Sequence, residues 1–143
     1  MRDTRSWLAV GGMVLLVSFT PAQAQDPAVE AMQEYLDFAT YEAGVIVPRQ
    51  LTEEVFNSVL FVDTRDAGQF EAGSIPGAIN IEWRQVLARR DELPTDRKVV
   101  LVCNTGSLSA QATFALRVAG MDNVLVLQSG LQGWRETDPY RPD

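Results

Sequence analysis

The chain has 143 residues, enough for one domain, with 19 acidic and 12 basic side chains and a net charge of −7. Such a surface repels nucleic acid and anionic lipid, so neither is an expected partner. There is one cysteine and no histidine, which excludes an intrachain disulfide, a Cys–His dyad, an imidazole proton shuttle and an ordinary zinc site. No metal or other cofactor is expected.

Residues 1–24 have the features of a removable export signal. Arg2 and Arg5 make a charged start, residues 8–19 an apolar run, and Ala22-Gln23-Ala24 a small-x-small cleavage site. The apolar run falls short of the about 20 residues that a membrane span requires, which leaves an uncleaved anchor as the weaker alternative. Cleavage after Ala24 would leave 119 residues with 10 basic and 18 acidic side chains, a charge of −8. A domain of that size buries about 60–70% of its unfolded surface, enough for its own core. The expected location is the periplasm of a bacterium with two membranes, with no stable membrane association after cleavage.

Residues 25–44 are predicted to form an amphipathic helix. Asp26-Pro27 supplies an N-cap and a first-turn proline, Val29, Met32, Leu36, Ala39 and Ala43 step by three and four, and Gly44 closes the run. This helix is expected to serve as a packing element and as a candidate surface for a protein partner.

Residues 45–143 are predicted to form an α/β domain. Candidate strands at 45–47, 59–62, 78–81, 99–102 and 124–127 alternate with helix-like segments at 52–56 (Thr52 as N-cap), 67–72, 83–91 and 107–119. The strand segments are continuously apolar, as in parallel strands covered on both faces. Strand–helix–strand alternation implies right-handed crossovers in a layered sheet.

Chemistry concentrates at the end of the fourth candidate strand. Val99-Val100-Leu101-Val102 runs into Cys103, a short loop containing Gly106 follows, and Leu108, Ala112, Ala115, Leu116 and Ala119 then define a helix face. Open α/β sheets bind ligands at the carboxyl ends of their strands. The helix N-terminus beyond the loop offers unpaired N–H groups and a favourable dipole to an anion, including a thiolate. A small, buried structural cysteine accounts for the same position about equally well.

The wider pattern resembles a known family. Cys103-Asn104-Thr105-Gly106-Ser107-Leu108-Ser109 resembles the rhodanese active-site loop, commonly C-R-x-G-x-R-S. Val62-Asp63-Thr64-Arg65, Gln69-Phe70-Glu71 and Gly73-Ser74-Ile75-Pro76-Gly77-Ala78-Ile79-Asn80 are similar to the family's D-x-R … E-F … G-H-I-P-G-A-I-N signature. Residues 124–127, Gly130 and Trp134 are similar to its final strand, glycine and tryptophan. The resemblance implies a five-stranded parallel sheet flanked by helices on both faces, here with an extra N-terminal helix. It also implies transfer of a sulfane sulfur from thiosulfate or a persulfide, through a Cys103 persulfide, to a thiol or cyanide. Backbone N–H groups of Asn104, Thr105, Gly106, Ser107 and Leu108 would form the substrate-binding loop, with Asp63 and Arg65 as supporting residues in a strand-end salt bridge.

Departures from the family pattern set limits on this reading. Asn104 and Leu108 stand where arginine is common, so the loop carries no charge and should hold a doubly charged donor weakly. Ser74 replaces a histidine, expected as a structural change, and Ser129 replaces a glycine and is expected to narrow the pocket mouth. Arg84, Arg89 and Arg90 could supply charge from outside the loop, although arginines on such a segment usually face solvent. A phosphatase on a related fold would need arginine at the sixth position after the cysteine, where this chain has Ser109. A non-catalytic sulfur carrier or interaction module stays open, because the loop is neutral and fold alone does not fix function.

Overall fold

The computed structural model describes residues 26–142. The predicted export signal lies outside the described residues. Among these, no helix is long and apolar enough to cross a membrane. The elements in chain order are α1 (Pro27–Phe38), β1 (Val45–Ile46), α2 (Glu53–Ser58), β2 (Leu60–Asp63), α3 (Ala67–Glu71), β3 (Ile79–Asn80), β4 (Val99–Val102), α4 (Ser107–Val118), β5 (Val124–Leu127) and α5 (Gly130–Glu136).

The five strands form one parallel sheet in the order β1-β5-β4-β2-β3, as expected. The apolar strands explain the layering. Along β4, Val100 and Val102 join Phe61, Leu127 and Trp134 in one core, while Val99 and Leu101 join Val62, Leu116 and Val124 in the other. Successive side chains thus enter opposite cores, and neither face of β4 meets water, whereas Val45 and Ile79 on the edge strands are exposed. The strands leave β2 and β4 side by side while their following connections diverge, β2 toward β3 and β4 toward β5. The crevice beyond their carboxyl ends is therefore the sheet's topological switch point. Cys103 and the Asp63-Thr64-Arg65 turn both lie there.

Two predicted elements differ. Helix α1 starts as expected, with the Asp26 side chain accepting from the Ala28 N–H at 2.9 Å, but it ends at Phe38 because Ala39 is extended (φ −69°, ψ 132°). Gly44, predicted as the helix C-cap, instead makes the turn into β1 at φ +71°, where an added Cβ would lie 2.8 Å from the Arg117 side chain. The predicted stripe also points the wrong way. Val29, Met32 and Leu36 are exposed, and α1 meets α4 through Tyr35, which packs edge-on against Phe114 with centroids 5.3 Å apart and beneath the Arg117 guanidinium. A tertiary aromatic contact has overridden the local apolar periodicity.

Residues 83–91, predicted as a helix, form short 3-10 turns at Trp83–Gln85 and Arg90–Glu92. Only Val86 and then Leu93 are buried along this segment, while Leu87 is exposed. Anchors seven residues apart tie down a chain without sustaining an apolar helix face.

Candidate active site

The loop after β4 is shaped by contacts from both sides. Gly106, the N-cap of α4, has φ +91° and sits against β5, with the position of an added Cβ only 3.3 Å from the Leu127 carbonyl oxygen. From above, the N-terminus of α5 captures the loop's carbonyls: the Leu131 N–H donates to Cys103 O at 2.8 Å and the Gln132 N–H to Asn104 O at 3.0 Å. Gly130 makes that approach possible, because a Cβ there would lie 2.3 Å from Cys103 O. Turning these carbonyls outward leaves the loop's N–H groups free to face inward.

Cys103 is 3% exposed. Its sulfur receives the Ser109 N–H at 3.5 Å and the Ser109 hydroxyl at 3.3 Å, with the Thr105 and Leu108 N–H groups also directed at it. Burial pushes the thiol pKa up, but these donors together outweigh it and hold the thiol below its ordinary value. The same donors suit an added outer sulfur bearing negative charge.

Ser109 is the residue that sequence reasoning missed. The loop resemblance includes it as the closing serine but assigns it no role, yet it occupies the third position of α4, where the backbone N–H has no intrahelical partner. Its buried hydroxyl chooses between the sulfur and Gly106 O at 3.1 Å, so forming the thiolate draws its proton toward sulfur. Ser109→Ala should raise the apparent thiol pKa while leaving the loop in place. Because the thiolate is the reactive form, alkylation rate should climb with pH to a half-maximum below the ordinary ~8.5 in the native protein. In the variant that midpoint should move up, because the thiolate loses the hydroxyl donor that helps to offset its burial. Iodoacetamide rate profiles of both proteins provide the measurement.

The supporting residues form a buried network beneath the loop. Arg65 grips Asp63 through Nε and Nη2, the shortest contact being 2.6 Å, and Nη2 also donates to Gly73 O at 2.8 Å. Its remaining nitrogen, Nη1, donates to Asn104 Oδ1 at 3.2 Å, and Asn104 Nδ2 donates in turn to Gln69 Oε1 at 2.7 Å. Ser74, in the histidine position of the family pattern, donates to Asp63 Oδ2 at 2.6 Å. Burial raises the Asp63 carboxyl pKa, but Arg65 and Ser74 bring it below the usual carboxylate range. Asn104 thus links the supporting network to the loop.

Cys103 lies at the floor of a cavity of about 440 Å³ whose walls include Thr64, Arg65, Trp83, Arg84, Asn104 and Leu108. Thr105 reaches both this cavity and a shallower one behind the loop, whereas Gly106 and Ser107 line only the latter. Ser129 also lies behind the loop, at φ +63°, so it does not narrow the mouth above Cys103 as expected. Arg84 reaches the cavity, while Arg89 is paired with Glu92 at 2.6 Å and Arg90 bonds Leu87 O. A second cleft of about 440 Å³ separates α1 from α4, lined by Tyr35, Phe38 and Arg117 among others. It contains no thiol, and the thiol chemistry belongs to the cavity over Cys103. Among the described residues, no three His, Cys, Asp or Glu side chains converge to hold a metal ion.

Known proteins are similar to this chain in sequence and fold. A sulfurtransferase of Allochromatium vinosum is 37% identical over 76 residues, covering 53% of this chain and 71% of that protein. Thiosulfate sulfurtransferase GlpE of Shewanella oneidensis is 35% identical over 89 residues, covering 62% and 86% respectively. The crystal structure of a rhodanese-related protein from Thermoplasma volcanium superposes with a TM-score of 0.61 at 27% identity, over 67% of this chain and 94% of that one. Residues 48–137 match the rhodanese-like domain, and with that match spanning more than half of its length the chain belongs to the rhodanese-like domain family.

Proposed function

We propose that this protein is a sulfurtransferase that carries a sulfane sulfur on Cys103. The observation that supports this most strongly is a buried thiol beneath an open cavity, with N–H and O–H donors directed at its sulfur. The Cys103 thiolate attacks the outer sulfur of the donor, the donor's S–S bond breaks, and its electron pair leaves with the remainder, which is sulfite when the donor is thiosulfate. The new persulfide keeps its terminal sulfur among the loop N–H groups. A thiol or cyanide then attacks that sulfur and restores the Cys103 thiolate. Thr105 and Leu108 contribute backbone donors, Asn104 joins the loop to the Asp63–Arg65 pair, and Gly106 with Ser107 starts the helix that supplies the dipole.

Intact mass spectrometry tests this directly. Protein purified without reductant and treated with a sulfur donor should gain the mass of one sulfur, and should lose it on addition of cyanide or a thiol. Turnover of the donor would identify an enzyme. Stable retention with no turnover would identify a sulfur carrier, the second reading, which the uncharged loop favours. No adduct with any donor would leave a docking module and defeat both.

The place of action follows from the first residues. Arg2, Arg5, the apolar run at 8–19 and Ala22-Gln23-Ala24 support export to the periplasm with cleavage after Ala24. The mature chain would then comprise an N-terminal helical segment to Gly44 and the domain at 45–143. N-terminal sequencing of exported protein should read from Gln25, and a Met1-bearing form in the membrane fraction would refute it.

A further inference from the structure

Resting on the sulfurtransferase reading, we infer that the Cys103 cavity takes a low-molecular-weight organic persulfide bearing at most one net negative charge, in preference to thiosulfate. Size, charge and wall chemistry all bear on this.

A water molecule occupies about 30 Å³ of liquid, so a 440 Å³ cavity holds on the order of fifteen water volumes. Thiosulfate would leave most of that space unfilled. A sulfur compound with a carbon skeleton would occupy it, as ligands of pockets in this range do.

The charges around the cavity do not favour a dianion. Arg84 is 71% exposed and is already engaged, with its Nε 2.9 Å from Glu82 Oε1 and its guanidinium 5.8 Å from the Trp83 ring centre. Arg65 is committed to Asp63. Asp66 and Glu82 also line the cavity. Each cation of the lining is thus already paired with a carboxylate, Arg65 with Asp63 and Arg84 with Glu82, and Asp66 adds a further negative charge to the wall. The inward N–H groups of the loop can still hold one negative sulfur at the floor. They match a donor whose charge is confined to the reacting end.

Two apolar side chains share the cavity with those charges. Leu108 is 39% exposed in the first turn of α4, and the indole of Trp83 faces the same cavity. Thiosulfate has no apolar part to place against them, whereas an alkyl persulfide does. In the transfer step, the Cys103 thiolate attacks the outer sulfur of R–S–S–H and the S–S bond breaks. Both electrons depart on R–S⁻, the proton stays on the sulfur transferred, and no oxidant is consumed. The carbon skeleton of R–S⁻ has Leu108 and Trp83 to pack against, and its charged sulfur departs to water.

Steady-state kinetics with benzyl hydropersulfide, a neutral and larger apolar donor, and with thiosulfate, corrected for the background of Cys103→Ala, test the inference. Native protein should favour the organic donor in kcat/KM by at least about tenfold, the low end of the 10- to 200-fold discrimination of one apolar group in a pocket. Leu108→Ser, at a part-exposed position and checked by thermal melting, should reduce the ratio of the two kcat/KM values by about tenfold on the same basis. Equal or better use of thiosulfate, with Cys103 still becoming persulfidated, would overturn the donor class and leave the sulfurtransferase standing. A ratio unmoved by Leu108→Ser would overturn the apolar wall. Failure of both donors to add sulfur to Cys103 would defeat the transferase reading as well.

Discussion

Cys103→Ala is expected to abolish both the sulfur adduct and sulfur transfer, with a loss of at least about 10³-fold, because the variant has no second thiol to form a persulfide. The neighbouring Ser109 cannot substitute. Its hydroxyl is placed to donate to the Cys103 sulfur, and an alcohol is not ionised near neutral pH. Cys103→Ser should be equally inactive for that reason, since its oxygen would still need ionisation to attack and cannot form a persulfide. The fold should survive both changes. The loop is held through Cys103 O and Asn104 O, which accept from Leu131 and Gln132, and those backbone bonds do not involve the sulfur. Intact mass after donor treatment, with a thermal melt of each variant, separates lost chemistry from lost structure. Sulfur loading or full transfer by either folded variant would overturn the proposed mechanism.

How much could be read beforehand depended on whether an element's neighbours were implied by its own residues. The apolar runs of β4 and β5 form strands at the predicted residues, Val99–Val102 and Val124–Leu127, because continuous Val and Leu suit only a strand buried on both sides. The turn from Cys103 into α4 was legible for a local reason, as Gly106 permits the positive φ from which the helix starts. Helix α1 was predicted as a packing element and a candidate partner surface, and its apolar stripe stays outside the core. Its stripe of Val29, Met32 and Leu36 says nothing of Phe114 and Arg117, which receive Tyr35 from a remote part of the chain. The network below the loop was only partly legible. Asp63 and Arg65 are close in sequence and suggested a salt bridge, but the link onward to Asn104 and Gln69 depends on β2 and β4 being adjacent. Ser129 fails similarly: whether it stands in front of the loop or behind it is decided by how α5 caps the loop, which one-dimensional spacing does not reveal.

Leu108→Arg should raise kcat/KM for thiosulfate by roughly 10- to 100-fold. A charge-assisted hydrogen bond contributes about 1.5–3 kcal/mol, and about 1.4 kcal/mol corresponds to tenfold. Geometry favours the substitution. Leu108 is 39% exposed and lines the cavity over Cys103, so a longer side chain can extend into space without displacing the buried Leu116 or Ala112 on the core face of α4. Little packing is lost at so exposed a position. The principal competition comes from the acids that share the cavity. Glu82 already binds Arg84 through Oε1 and accepts its backbone N–H at Oε2, while Asp66 caps α3 and bonds the Gln69 side chain. Both acids already hold partners, and each contact with the introduced guanidinium would have to compete with the dianion itself. The gain should be confined to the doubly charged donor, with the organic persulfide losing the apolar contact of Leu108. Steady-state kinetics of both proteins with both donors measure this crossing of preferences. If native protein already shows a low KM for thiosulfate and Leu108→Arg changes nothing, the charge is supplied from the cavity rim. Arg84→Gln should then raise that KM, because Arg84 is the cation of the rim that is not buried with Asp63.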